Sequence, residues 1–192
     1  MIKKHIITIA GKPGSGKSST ATLVAAELGF EHYSSGGMFR AAVKEQGKEL
    51  LQANQSAEGE GNDGPDLDAI VDGKIRELGD TKDRFVIDSR TAWHWIPESF
   101  KVLLDLDVSI GAQRAWDDTD EARRAVESMG SSPEDYATLL QARLDSENRR
   151  YHDLYNIDPY NVNNYDLVVN TALHDKEQVG AMVLKAFYEW VG

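Results

Sequence analysis

The chain of 192 residues contains no cysteine. Disulfides, thiol catalysis and thiolate metal sites are therefore excluded. Positive charge is scarce: 21 Lys and Arg stand against 32 Asp and Glu, a formal net charge of -11. Proteins that bind nucleic acid regardless of sequence carry the opposite balance, so that class is disfavoured. No uncharged run approaches the roughly 20 residues needed to span a bilayer. The opening MIKKHIITIAGKPG has an apolar stretch that breaks too early for a signal peptide. These absences make a soluble, cytoplasmic protein the expectation. Hydrophobic residues make up 41% of the chain, enough to bury a core, and the length suits one domain.

Short apolar runs alternate with helical patterns. Residues 5–10 (HIITIA) are apolar, β-branched and stop at glycine, which predicts a buried strand. Further strands are expected at 30–35, 84–88, 101–107 and 165–171. Helices are expected at 17–29, 36–51, 67–79, 109–118, 132–155 and 175–191, and a polar, glycine-rich loop at 52–66. Ser132 and Pro133 suit the cap and first position of the 132–155 helix, and Gly29 suits the end of the first. The strands read as continuous apolar runs, which predicts an α/β fold: a parallel five-stranded sheet with helices on both faces. Two stretches exceed this minimal sheet, about 36–80 and about 117–133, and are read as insertions into a single domain over 1–192.

Residues 11–18, GKPGSGKS, match G-x-x-x-x-G-K-[ST] between a predicted strand and a predicted helix. Gly11, Gly14 and Gly16 let backbone N–H groups turn inward around a polyphosphate, and the helix N-terminus adds positive partial charge. Lys17 is placed to reach the outer phosphates and Ser18 to bind magnesium. The expected ATP contacts are Gly11, Gly14, Ser15, Gly16, Lys17, Ser18 and Ser19. The chain has no N-K-x-D, the motif that reads guanine, which argues against a GTPase.

Arginine is unevenly distributed. Arg114, Arg123, Arg124, Arg143, Arg149 and Arg150 fall in one stretch, and no lysine occurs from residue 102 to 175. Arginine grips phosphate in a planar fork and keeps its charge. Phosphoryl transfer needs such stabilisation more than a covalent partner. Arg143 and Arg150 lie seven residues apart, on one helical face. Arg114, Arg143 and Arg150 are the candidates for the moving phosphoryl group, with nearby acids such as Asp117 and Asp118 expected to occupy other arginines.

The segment SSGGMFR at 34–40, together with SENRRYHDLYNID at 146–158 and YDLVVNT at 165–171, resembles the nucleoside monophosphate kinases, most closely the cytidylate kinase-like branch. The resemblance covers nearly the whole chain. It implies the three-layer P-loop NTPase sandwich, with an acceptor-binding insertion at about 36–80 and a short lid at about 117–133. It also implies that Ser35, Gly36 and Arg40 hold the acceptor's phosphate. Expected ligands are ATP, Mg2+ and a small-molecule nucleotide, with no nucleic acid and no membrane, on a monomer or homodimer. The implied reaction is transfer from ATP to a nucleoside monophosphate, CMP or dCMP. Kinases of the adenylate, shikimate or gluconate type, or a non-catalytic nucleotide sensor, are the alternatives.

The stretch FVIDSRTAWHW, residues 85–95, closes a strand expected beside that of the P-loop. Similar kinases carry an aspartate there that orients water on magnesium, followed by an arginine on the acceptor phosphate. Asp88 and Arg90 match these roles, and Ser89 replaces the more usual glycine. Trp93 and Trp95 are candidates to wall the acceptor base, with burial in the core as the alternative. His94 is expected to be structural or exposed.

Overall fold

Strand β1 (Ile6–Gly11) is buried at every position. In a computed structural model describing residues 5–45, 67–119, 124 and 129–192, it forms the middle of a five-stranded sheet of order β2-β3-β1-β4-β5. The other strands are β2 (Glu31–Ser34), β3 (Phe85–Asp88), β4 (Phe100–Asp105) and β5 (Leu167–Asn170). All pairings are parallel.

Strand residues alternate between two apolar layers, as the pleat requires. Ile7, Ile9, Val86, Val102 and Leu104 pack with Val24 of α1 (Lys17–Leu28) and with Val183 and Phe187 of α7 (Lys176–Val191). Ile6, Phe85 and Ile87 pack on the opposite face against Val71 and Ile75 of α3 (Leu67–Thr81) and Ala92 of α4 (Ala92–Trp95). Further α-helices among the described residues are α2 (Ser35–Glu45), α5 (Val108–Asp117) and α6 (Pro133–Tyr155). Helices α5 and α6 join through Ala112, Leu140 and Leu144.

The expected elements form close to their expected ends where these are described; the end of the helix expected at 36–51 lies outside the described residues. Gly29 ends α1 in the left-handed conformation, and Ser132 caps α6 by accepting from the Asp135 N–H. Three short elements escaped the sequence reading: 3-10 turns at Val162–Asn164 and Thr171–Leu173, and Ala92–Trp95, which folds as a short helix inside the stretch read as a strand end. The loop expected at 52–66 lies outside the described residues, as do the parts of the expected insertion at 46–66 and of the expected lid at 120–123 and 125–128. Among the described residues, no helix is long and apolar enough to cross a membrane.

Candidate active site

The site forms at the C-terminal ends of β1, β2 and β3, where parallel α/β sheets place their ligand crevice. Register decides the arrangement. Ile9 of β1 stands beside Asp88 of β3, and Ser34 of β2 stands on its other side. The P-loop and the end of FVID are thereby neighbours, although Ser18 and Asp88 lie 70 positions apart in sequence.

The loop itself is shaped by backbone constraints. Gly14 has φ +76 and packs so tightly on the backbone of Gly111 that a Cβ would clash. Gly16 has φ +82 and caps α1 with no side-chain acceptor, so no side chain covers the N–H groups of the first turn. The Ser15 hydroxyl is buried and has no hydrogen-bond partner. An uncapped helix start beside an orphaned buried hydroxyl fits an anionic ligand.

Lys17 donates to the Lys12 carbonyl at 3.0 Å. Burial lowers its pKa, with Arg90 and Arg143 acting in the same sense. Asp88 and Glu147 oppose them, and the balance places the ammonium at about 7.

Asp88 is the hub of the crevice. Its side chain is 7% exposed. Oδ1 accepts from Ser18 Oγ and Ser34 Oγ, each at 3.2 Å. Oδ2 accepts from His32 Nε2 at 2.8 Å, and Thr22 Oγ1 lies 3.4 Å from the other ring nitrogen. A serine hydroxyl beside a carboxylate is a hard-oxygen pair of the kind magnesium selects.

Beyond Asp88 the chain turns on Ser89. Its buried hydroxyl accepts from the N–H groups of Thr91 and Ala92, which starts α4. A glycine there would lack this acceptor. Arg90 then reaches α6: its Nε lies 3.0 Å from Glu147 Oε2 and donates to the Tyr160 hydroxyl at 3.3 Å. Burial opposes the Arg90 charge, Glu147 together with Tyr160 and Tyr151 more than offsets it, and the net shift of its pKa is upward. Arg143 Nε donates to the other oxygen of Glu147 at 3.1 Å.

The remaining candidates take separate places. Arg114 donates from Nη2 to the Thr171 carbonyl at 2.9 Å, just past the end of β5. Arg150 pairs with Asp68 of α3 at 3.0 Å. Arg124 stacks over Trp116 and donates to that residue's carbonyl. Ser35 and Gly36 open α2, and Arg40 folds back so that a Cβ on Gly36 would lie 3.4 Å from its Nη1. Trp93 donates from Nε1 to the Arg90 carbonyl and packs on Tyr165. Trp95 packs under the guanidinium of Arg76, and His94 contacts both tryptophans and Tyr155.

The sequence model of the AAA domain family matches residues 10–116. A cytidylate kinase of Halobacterium salinarum is 34% identical over 184 residues, covering 94% of this chain and 88% of that protein. A cytidylate kinase of Methanobrevibacter smithii is 30% identical over 179 residues, covering 93% and 96%. The chain belongs to the cytidylate kinase family. Its fold is shared more widely. Shikimate kinase from Acinetobacter baumannii, in complex with shikimate, superposes with a TM-score of 0.62 at 14% identity, covering 98% of this chain and 95% of that one. A gluconokinase from Sinorhizobium meliloti gives 0.60 at 16% identity, covering 100% and 95%. At such identities the likeness concerns fold alone.

Two residues of this cytidylate kinase family member were missed from sequence. His32 follows from strand alternation, since positions 32 and 34 face the same way. Which way they face depends on the β2–β3 pairing, and no local pattern displays that pairing. Glu147 stands four residues after Arg143, a spacing at which helical side chains meet. That spacing is legible in the sequence.

Proposed function

We propose that this chain transfers the γ-phosphoryl group of ATP to the phosphate of CMP or dCMP, giving the nucleoside diphosphate and ADP. The observation that carries this reading is the convergence on the P-loop of Asp88, which accepts from Ser18 at 3.2 Å, with Arg90 two residues beyond it held to Arg143 through Glu147. That convergence occurs in a chain whose cytidylate kinase relatives match it along nearly its full length.

The unit of function is one P-loop kinase domain, with an acceptor-binding insertion at about 36–80 and a lid at about 117–133. The backbone from Gly11 through Gly14, Ser15 and Gly16 to Ser19 holds the donor phosphates, and Lys17 holds the outer ones. Ser18 and, through water, Asp88 hold Mg2+, with His32 orienting the carboxylate. Charge neutralisation on the donor phosphates is what the bound metal supplies. Ser35, Gly36, Arg40 and Arg90 grip the acceptor phosphate, and Trp93 walls its base. Arg143 serves the transferred group. Arg114 and Arg150, whose guanidiniums are engaged by Thr171 and Asp68, make secondary contributions.

In this chemistry an acceptor phosphate oxygen attacks the γ-phosphorus in line as the bond to the β–γ bridging oxygen breaks, and ADP leaves with the electron pair. The attacking oxygen is already ionised, so no general base is required. Catalysis then rests on positioning and on fixed positive charge.

ADP release measured with CMP, dCMP, UMP, AMP, shikimate and gluconate as acceptors tests the reading. Turnover with CMP or dCMP well above the rest is expected. Tight ATP binding without turnover on any of them would sink it.

A further inference from the structure

Glu147 is 4% exposed, in the helix that carries the arginines of the site. A carboxylate is almost never buried unless it is paired. This one is paired twice, each time through the same atom of its partner. Oε1 accepts from Arg143 Nε at 3.1 Å, and Oε2 lies 3.0 Å from Arg90 Nε. The second contact is one of charge rather than an aligned hydrogen bond, since Oε2 has no hydrogen-bond partner of acceptable geometry. The same carboxylate acts on the charge of Lys17.

A negative group so close to a phosphate site is unfavourable for an anionic substrate. A neutral side chain would fill the space without that penalty, so the charge calls for an explanation. The contact atoms provide it. A guanidinium held at Nε can still present its Nη1–Nη2 edge to a phosphate in bidentate fashion. Two guanidiniums brought together before a ligand arrives repel each other, strongly where water is excluded. A carboxylate bridging their Nε atoms offsets that repulsion and fixes their relative placement, so the geometry need not be assembled during the reaction.

We propose that Glu147 is a positioning residue that bridges Arg90 and Arg143, locking the arginine of the acceptor phosphate to the arginine of the transferred group. This rests on the reading of Arg90 as an acceptor-phosphate ligand. The residues come from β3's end and from the middle of α6, so the bridge also ties the sheet to the arginine helix.

The test measures kcat and KM for CMP and for ATP in the full chain, with circular dichroism as a check on folding. Glu147→Gln is expected to lower kcat/KM for CMP by on the order of tenfold to a hundredfold, while KM for ATP stays within about twofold. A residue acting through Arg90 has less to lose once Arg90 is gone. The Glu147→Gln loss should therefore shrink by at least about threefold in an Arg90→Ala background. A packing role alone would give the same loss in both backgrounds. Wild-type kcat/KM for CMP in Glu147→Gln, or an undiminished loss beside Arg90→Ala, overturns the proposal.

If Glu147→Gln does not fold, Glu147→Asp carries the same test, because it keeps the charge but draws it back by one methylene. The underlying reading is judged separately. Arg90→Ala with an unchanged KM for CMP removes Arg90 from the acceptor phosphate, and the role of Glu147 with it. A raised KM there with a silent Glu147→Gln removes only the bridge.

Discussion

The P-loop and the arginine cluster serve the same proposed chemistry but are built by opposite means. The P-loop is continuous in sequence: Gly14, Ser15, Gly16, Lys17 and Ser18 follow one another between β1 and α1. Its shape is enforced locally, by left-handed glycines and by a helix start without a side-chain cap. The arginine cluster joins Arg90 at the end of β3 to Arg143 in α6 through Glu147. Its geometry depends on how α6 lies against the sheet. A feature made of neighbours in sequence is damaged chiefly from within, with Gly111, packed on the Pro13 carbonyl, as its outside support. A feature made of distant elements can also be damaged through its linking groups.

The sharpest test of the local half is Lys17→Met. Turnover should fall by on the order of a thousandfold with circular dichroism unchanged and the thermal midpoint not lowered, since among the described residues Lys17 makes one hydrogen bond, to the Lys12 carbonyl, and burial disfavours its charge. A thermal midpoint that collapsed with the activity would show Lys17 holding the loop rather than the phosphate.

The arginine half predicts a ranking. Arg143→Ala should cost on the order of a hundredfold in kcat, and Arg114→Ala or Arg150→Ala about tenfold or less. Steady-state kinetics on the three variants decides it. A reversed order would mean that Arg114 leaves the Thr171 carbonyl, or Arg150 leaves Asp68, when substrates bind.

His32 lies between the halves, tying β2 to the aspartate that faces the P-loop. His32→Ala should lower kcat by about tenfold and raise the Mg2+ concentration needed for half-maximal thermal stabilisation by ADP, while His32→Gln recovers part of both. Unchanged metal dependence in His32→Ala would remove the link to Asp88.

The smallest effect is a proton. Lys17 titrates at about 7 in the free protein because burial and neighbouring arginines disfavour its charge. A bound polyphosphate favours the charged form, so nucleotide binding above that pKa must take up a proton. Calorimetry at about pH 8 in buffers of different ionisation enthalpy should show an uptake of up to about one proton beyond that of Lys17→Met. The difference should fade at about pH 6, where Lys17 is already protonated. The same depressed pKa gives the unfolded chain more bound protons between about 7 and the ordinary lysine value of 10.5, so this group's contribution to stability rises with pH across that window.

The sequence was most legible where physical constraints are local. Apolar runs located four of the five described strands, the polar β2 (Glu31–Ser34) giving a weaker signal, and Ser132 and Gly29 marked helix ends by their own hydrogen bonds and backbone angles. It was less legible at 92–95, where the short helix depends on Ser89 capping two N–H groups. A strand end and a helix start look alike in so few residues. The two tryptophans there also part company: Trp93 turns to the Arg90 carbonyl, and Trp95 to Arg76 of α3. Their spacing could not show that.

By itself, the sequence determined the phosphate loop, the alternation of strands and helices, and the supply of arginines, because each is written in adjacent residues or in a short period. Only the tertiary structure decided which arginines converge, because parallel pairing puts Asp88 beside both Ser18 and His32, and the packing of α6 puts Glu147 between Arg90 and Arg143. Helical spacing alone placed Arg143 and Arg150 on one face. A carboxylate on another element, Asp68, drew one of them away.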